Sequence, residues 1–388
     1  TTPTTEKYEY EYDHAGRITE LKHGVDATPT TLATYSYDEL GRQQQKVLRN
    51  GDATVETIAS SYDIQGRLTA LQGSKFSQQL YYHTAGVTGS TPQYGGNISA
   101  VKWQHGPAAA QTYRYGYDGF SRLTSAVHSG GNSESQTYDA NGNMLSITRA
   151  GAQAASLSIS YTGNQIAAAG GASYAYDSSG NMRADGQRGM SITYNRLNLP
   201  QTVSKGSDVL AYGYSADGQK REKKYNNTVT QHYRGSIVYD GSETPEYVAT
   251  PEGMVRKAGN TWVRQYNLTD HLGNTRAVVE NSGTVLQQTD YYPFGTAFAV
   301  SNTTKNKYLY GSKELQDEVI GGEQLSLYDF EARFMDTKIP RFTSIDPMAE
   351  KYYSISPYIY AANNPILFID PTGRYIDISE QTKDGKTI

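Results

Sequence analysis

Carboxylates and guanidiniums are the chemistry-bearing groups that this sequence supplies in quantity, with 39 Asp and Glu set against 35 Lys and Arg. The 388 residues include no cysteine, which excludes disulfides, thiolate catalysis and most structural zinc sites. The histidines (His14, His23, His83, His105, His128, His232 and His271) show neither H-E-x-x-H nor another ligand spacing, so no metal and no cofactor are expected. There is no G-x-S-x-G elbow, and Gly385-Lys386-Thr387 lacks the upstream glycine of a phosphate loop. A pair of carboxylates can hydrolyse a peptide when one is ionised to take a proton from water and the other is protonated. A neighbouring cation holds the first ionised, while burial or a like charge keeps the proton on the second. Asp-Pro pairs and Arg–Asp neighbours also serve as turns, caps and buried salt bridges. Spacing alone does not separate these uses.

The elements that would have to position such a pair are read from composition and repeats. The net charge of −4 indicates neither a nucleic-acid binder nor an acidic tail. Tyr is abundant at 34, against 8 Phe and 2 Trp, which argues against a disordered chain. No apolar run approaches the ~18 residues of a membrane-spanning helix. The start, Thr1-Thr2-Pro3-Thr4-Thr5, has no basic region followed by an apolar one, and a fragment of a longer protein is expected.

One motif recurs. Tyr12-Asp13-His14-Ala15-Gly16-Arg17-Ile18 returns as Tyr37-Asp38-Glu39-Leu40-Gly41-Arg42 and as Tyr62-Asp63-Ile64-Gln65-Gly66-Arg67-Leu68. It appears with Ser for Gly in Tyr117-Asp118-Gly119-Phe120-Ser121-Arg122-Leu123, and with Asn for Arg in Tyr138-Asp139-Ala140-Asn141-Gly142-Asn143-Met144 and Tyr176-Asp177-Ser178-Ser179-Gly180-Asn181-Met182. Asp opens a type I turn by accepting from the backbone two residues on, and Gly at the fourth position supplies a positive φ. Before the turn, aromatics alternate, as in Tyr8-Glu9-Tyr10-Glu11-Tyr12. That is the strand period. Each unit is a strand–turn–strand that cannot bury its face alone, and stacked units form one long antiparallel sheet. Tyrosine faces could stack on sugars, but this spacing assigns them to sheet packing. Lys220-Arg221-Glu222-Lys223-Lys224 reads as a solvated strand or loop.

These repeats resemble the YD repeats of the Rhs family, shared by bacterial Rhs toxins, C subunits of insecticidal toxin complexes and teneurins. Asp270-His271-Leu272-Gly273-Asn274-Thr275-Arg276, Asp290-Tyr291-Tyr292-Pro293-Phe294-Gly295 and Tyr308-Leu309-Tyr310-Gly311 follow in order. After them come Ala332-Arg333-Phe334-Met335-Asp336, Ser344-Ile345-Asp346-Pro347, Ala361-Ala362-Asn363-Asn364-Pro365 and Asp370-Pro371-Thr372-Gly373. This series is similar to the Rhs repeat-associated core domain. The resemblance implies an all-β fold, with antiparallel hairpins wound as a spiral shell or partial barrel and closed by an inward-curling C-terminal plug. It divides the chain into a shell (1–265), a core or plug domain (266–373) and a tail or start of a truncated effector (374–388). Helix is expected only in short pieces, for instance near Pro347 to Tyr353.

The resemblance also implies chemistry. In the family, the core domain cuts its own chain as an aspartic-type protease just after Asp-Pro-x-Gly. The matching residues are Arg333 as cation and Asp346 as base, with Asp370 as second carboxylate and Asp336 as its alternative. The cut would fall among Gly373, Arg374 and Tyr375, after Arg374. The family usually has Leu where Arg374 stands, and a charged residue there is at odds with an apolar pocket. The function implied is a secreted or cell-surface bacterial shell that encapsulates a toxin and releases it by one self-cleavage. Its partners would be its own C-terminal effector segment and secretion-system or cell-surface components, with no nucleic acid and no membrane span. A non-catalytic adhesive protein and a passive container remain the alternatives.

Overall fold

The computed structural model describes residues 4–84, 86–304 and 306–378. Antiparallel strands dominate, and the helical pieces among the described residues are four 3₁₀ turns of three residues each, one of them Ala349–Lys351. Two large sheets follow the chain. The first has 15 strands from Glu6–Tyr12 to Ala172–Ser173, and the second has 14 from Ala175–Tyr176 to Ala297–Asn302. In both, every strand pairs with its sequence neighbours, and neither order closes on itself. The wall is therefore an open spiral of hairpins and not a barrel.

The repeated motif makes the hairpins. At Asp63 the Oδ1 atom accepts from Gln65 N at 2.9 Å and Arg67 N at 3.0 Å, while Gly66 N donates to Asp63 O at 3.0 Å. Gly66 has φ +85°, the left-handed residue that completes a type I turn with a bulge. Ser121 takes this conformation, φ +61°, where the motif has lost its glycine.

The arginine has a role that the sequence reading did not assign. Arg67 Nε reaches back to Asp63 Oδ2 at 2.7 Å, and its guanidinium lies 4.2 Å from the ring centroid of Tyr82. Arg17 covers Tyr37 and Arg42 covers Tyr62 in the same way. Each covered tyrosine donates its hydroxyl to a carbonyl in the preceding repeat, Tyr37 to Ile18 O at 2.8 Å and Tyr62 to Gln43 O at 2.9 Å. Phenylalanine could not close this link, which accounts for the excess of Tyr over Phe. Where Asn replaces Arg, Asn143 and Asn181 each bridge their own turn aspartate to the next turn, through Asn164 and Asn198.

The second sheet runs unbroken past the expected boundary at 265/266, which falls inside strand Thr261–Thr269. The reason is local. Asp270-His271-Leu272-Gly273-Asn274 is another turn of the repeated kind, with Asp270 Oδ1 accepting from Leu272 N and Asn274 N at 3.0 Å each and Gly273 at φ +78°.

After Asn302 the chain leaves the wall. It forms a four-stranded sheet (Glu314–Gln316, Leu327–Asp329, Phe334–Asp336, Arg341–Phe342) and two short ribbons. This segment lies across a row of the wall's turns. Asn364 donates to Ser121 O, Asn363 to Gly142 O, Arg341 to Asn164 O and Tyr358 to Gly180 O, all at 2.6–2.9 Å. One apolar cluster joins both sheets to it, from Leu21 and Trp103 through Leu210 and Tyr266 to Phe330 and Tyr360.

Candidate functional site

Three chain reversals of the C-terminal segment bring the candidate residues together. Arg333 closes the turn between Leu327–Asp329 and Phe334–Asp336, where Phe330 N donates to Arg333 O at 2.9 Å. Asp346 follows strand Arg341–Phe342, and Asp370 follows Phe368–Ile369. Each aspartate precedes a proline and orders the turn it opens. Asp346 Oδ1 accepts from Met348 N at 2.7 Å, and Asp370 Oδ1 accepts from Thr372 N at 3.3 Å, Arg374 N at 3.0 Å and Tyr375 N at 3.4 Å. The turn role and the charged role coexist, because each carboxylate uses its other oxygen on Arg333.

Arg333 Nη2 donates to Asp346 Oδ2 and to Asp370 Oδ2, both at 2.8 Å. Nε donates to Gly373 O at 2.6 Å and Nη1 to Pro357 O at 3.2 Å, while the guanidinium lies 3.6 Å from the Phe342 ring centroid. Arg333 and Asp370 are 1% and 2% exposed, and Asp346 is 9% exposed. One nitrogen therefore holds two carboxylates within two hydrogen-bond lengths of each other, out of water. Burial pushes the Arg333 guanidinium below its ordinary value against the pull of both aspartates. Burial also raises the Asp346 carboxyl, Arg333 opposing it and the like charge of Asp370 adding to it.

Gly373 is a required glycine. Its φ is +70°, and a Cβ there would sit 2.8 Å from Phe330 O and 3.1 Å from Arg333 N. Only glycine brings this carbonyl onto Arg333. Beyond it, Asp377–Ile378 pairs with Phe368–Ile369, so the stretch after Arg374 runs beside Asp370 as a short strand. Residues 379–388, with Gly385-Lys386-Thr387, lie outside the described residues.

The chain matches the Teneurin YD-shell family over residues 93–366. It belongs to that family. Curated relatives of this YD shell include Teneurin-3 of Danio rerio, 24% identical over 95% of the chain, and Teneurin-4 of Homo sapiens, 23% identical over 93%. The chain spans 14% of the length of either one. Salivary gland surface protein 1 of Aedes aegypti is 31% identical over 44% of the chain and 4% of its own length. Among solved structures, the TcdB2-TccC3-Cdc42 crystal structure aligns with a TM-score of 0.74 at 16% identity, covering 96% of this chain and 20% of that one. The Photorhabdus luminescens Tc holotoxin pore aligns at 0.71 and 17% identity, covering 97% and 21%. These alignments show the YD-shell fold of the Rhs type. Arg333 and Asp346 fall within the family match, whereas Asp370, Gly373 and Arg374 lie beyond it.

Asp336 stands apart from the cluster in this YD shell. It accepts from Arg188 Nη1 at 2.8 Å and Nη2 at 2.7 Å, and Arg188 also reaches Asp185 Oδ2 at 2.6 Å. No local signal separates it from Asp370, since its partner Arg188 stands 148 residues away in the sequence. The Lys220–Lys224 run is a strand with Arg221 exposed, as expected of a solvated strand or loop, but two of its lysines are not solvated. Lys220 lies between Glu314 at 2.5 Å and Asp329 at 2.6 Å, and Lys223, 1% exposed, pairs with Glu318 at 2.7 Å. Those partners arrive from the plug, 94 to 109 residues on, so the run itself carries no sign of them.

Proposed function

We propose that this chain forms the wall and plug of a shell that encloses a segment continuing past residue 374 and frees it by one intramolecular cut. The observation that carries the reading is the single Arg333 nitrogen shared by Asp346 and Asp370, with the Gly373 carbonyl on Nε of the same guanidinium. Arg333 anchors the residue before Arg374, and Asp370 Oδ1 holds the N–H groups of Arg374 and Tyr375. The Arg374–Tyr375 bond is thereby held on Asp370, whose other oxygen shares the Arg333 nitrogen with Asp346, and this supplies the orientation that catalysis requires.

Asp346 serves as base. A carboxylate whose basicity is raised by burial is the stronger acceptor of a water proton. The water oxygen bonds to the Arg374 carbonyl carbon, the bond to the Tyr375 nitrogen breaks, and the departing amine takes up the proton. Asp346 delivers it, while Asp370 Oδ1 accepts the N–H of that nitrogen at 3.4 Å and holds it in place. The products are a carboxylate on Arg374 and a segment beginning at Tyr375. A secreted or cell-surface setting in a bacterium, with an effector as cargo, completes the reading.

A passive container is favoured by one observation, the pairing of Asp377–Ile378 with Phe368–Ile369, which would retain the segment whether or not it is cut. Intact-mass measurement of the purified chain, incubated under denaturing and native conditions, separates the two. Wild type is expected to yield a new terminus at Tyr375, and Asp346→Asn to stay whole. A cut at that bond in Asp346→Asn, or none in wild type, removes the proteolytic reading.

A further inference from the structure

Beside the Arg333 cluster lies a cavity of about 780 Å³, walled on one side by the wall's hairpins at Leu199 and Gly218 and on the other by Ala332, Pro347 and Arg374. Ala332 and Pro347 are the chain neighbours of Arg333 and Asp346, and Arg374, whose N–H rests on Asp370, lines the cavity with them. Its charge is uneven. Asp217, Glu314, Asp329 and Glu331 face it with Lys220 and Lys313, four carboxylates against two ammoniums before Arg374 is counted. Lys220 is engaged by Glu314 and Asp329, and Lys313 by Glu331 at 2.8 Å. Asp217, bonded to Ser215, and Arg374 are both exposed, and no ion pair within 4.0 Å ties either of them among the described residues. The remaining walls carry apolar surface from Leu197, Leu199 and Pro347.

We infer that this cavity is the specificity subsite for the residue before the cut, and that it selects a basic side chain. The inference rests on the self-cleavage reading for its role, though not for its geometry. An aliphatic stem with a charged end suits such a site, which offers apolar surface at Leu199 and Pro347 for methylenes and carboxylates for a guanidinium that enters it. Arg374, charged where an apolar residue was expected, is matched by a cavity that is acidic. Its backbone is already fixed at the rim, with its N–H on Asp370 and the preceding carbonyl on Arg333. The excess of carboxylates favours a cation there and disfavours an acidic side chain.

Two readouts test this on the full chain. In the Asp346→Asn background, where no self-cut is expected, tryptic hydrolysis after Arg374 reports how firmly its side chain is held. Asp217→Asn with Glu331→Gln is expected to accelerate that hydrolysis about fivefold relative to other tryptic sites, the upper end of what two exposed charges supply. Both residues are exposed at the surface, so the fold is not at stake. In the Asp346-containing chain, the same pair of substitutions is expected to slow the self-cut by a similar factor, Arg374→Lys to retain it and Arg374→Glu to abolish it. A tryptic rate indifferent to the two substitutions overturns the subsite, whatever the self-cut does. A chain that never cuts itself but shows the tryptic acceleration upholds the seat of Arg374 and removes the proteolytic reading instead.

Discussion

Arg188 and Arg333 are both buried guanidiniums set between two aspartates, and they are built to opposite ends. Arg188 meets Asp336 with two parallel bonds at 2.7 and 2.8 Å and gives a third bond to Asp185 at 2.6 Å. Burial alone would lower its basicity, but Asp336 and Asp185 outweigh burial and raise it. Arg333 instead divides one nitrogen between Asp346 and Asp370 and spends its Nε on a backbone carbonyl. Here burial wins, the guanidinium is pushed down and the Asp346 carboxyl up. The first cluster is a closed structural pair joining wall to plug. The second leaves its charges under-compensated beside a fixed peptide bond. Composition does not distinguish them; bond geometry does.

The largest effect should come from breaking the closed cluster. Arg188→Met leaves Asp185 and Asp336 buried without a cation and should destabilise the fold by about 3–5 kcal/mol, read from urea unfolding. A loss below about 1 kcal/mol would mean that this pair does not hold plug to wall.

The matched aspartates sharpen the contrast. Asp336→Asn is expected to cost about 2–3 kcal/mol, because it disrupts a bidentate buried bond. Asp346→Asn should cost about 1 kcal/mol or less while removing the self-cut. Equal stability losses would erase the distinction between the two sites.

A hairpin remote from both clusters calibrates these numbers. Gly66→Val should destabilise by about 1–2 kcal/mol through its positive φ alone, since a Cβ there meets nothing within 4 Å. The self-cut rate should be untouched. An unchanged unfolding midpoint would show that this turn tolerates a β-branched residue.

The smallest effect is a pH dependence confined to the Arg333 cluster. The folded Asp346 carboxyl titrates above its unfolded value, so its contribution to stability is full below the ordinary value of about 4 and lost as pH rises through the raised one. Wild type should therefore lose stability relative to Asp346→Asn as pH rises from about 4 through the raised value, by unfolding midpoints. The self-cut rate should rise over the same window as the base ionises. A stability difference that grows with pH would reverse the assigned direction of the shift.

The hairpins were legible because each is closed within five residues. Asp63, Gly66 and Arg67 bond to one another, and alternation alone assigns the flanking faces. Even the missed Asp270 turn has the motif in plain sequence and was hidden only by the absence of Tyr before it. The arginine–tyrosine links were not legible, since Arg67 meets Tyr82 only after the next two strands have been laid down.

By itself, then, the sequence determined the turns, the strand period and the sequential antiparallel order, all of which depend on contacts between neighbours along the chain. The tertiary structure decided the charged sites. Arg333 finds Asp346 and Asp370 across 13 and 37 residues, Asp336 is taken by Arg188 from 148 residues away, and Lys220 waits for Glu314 across 94. A charge in water is content with solvent. It acquires a particular partner only when packing removes the water and leaves one counter-charge in reach.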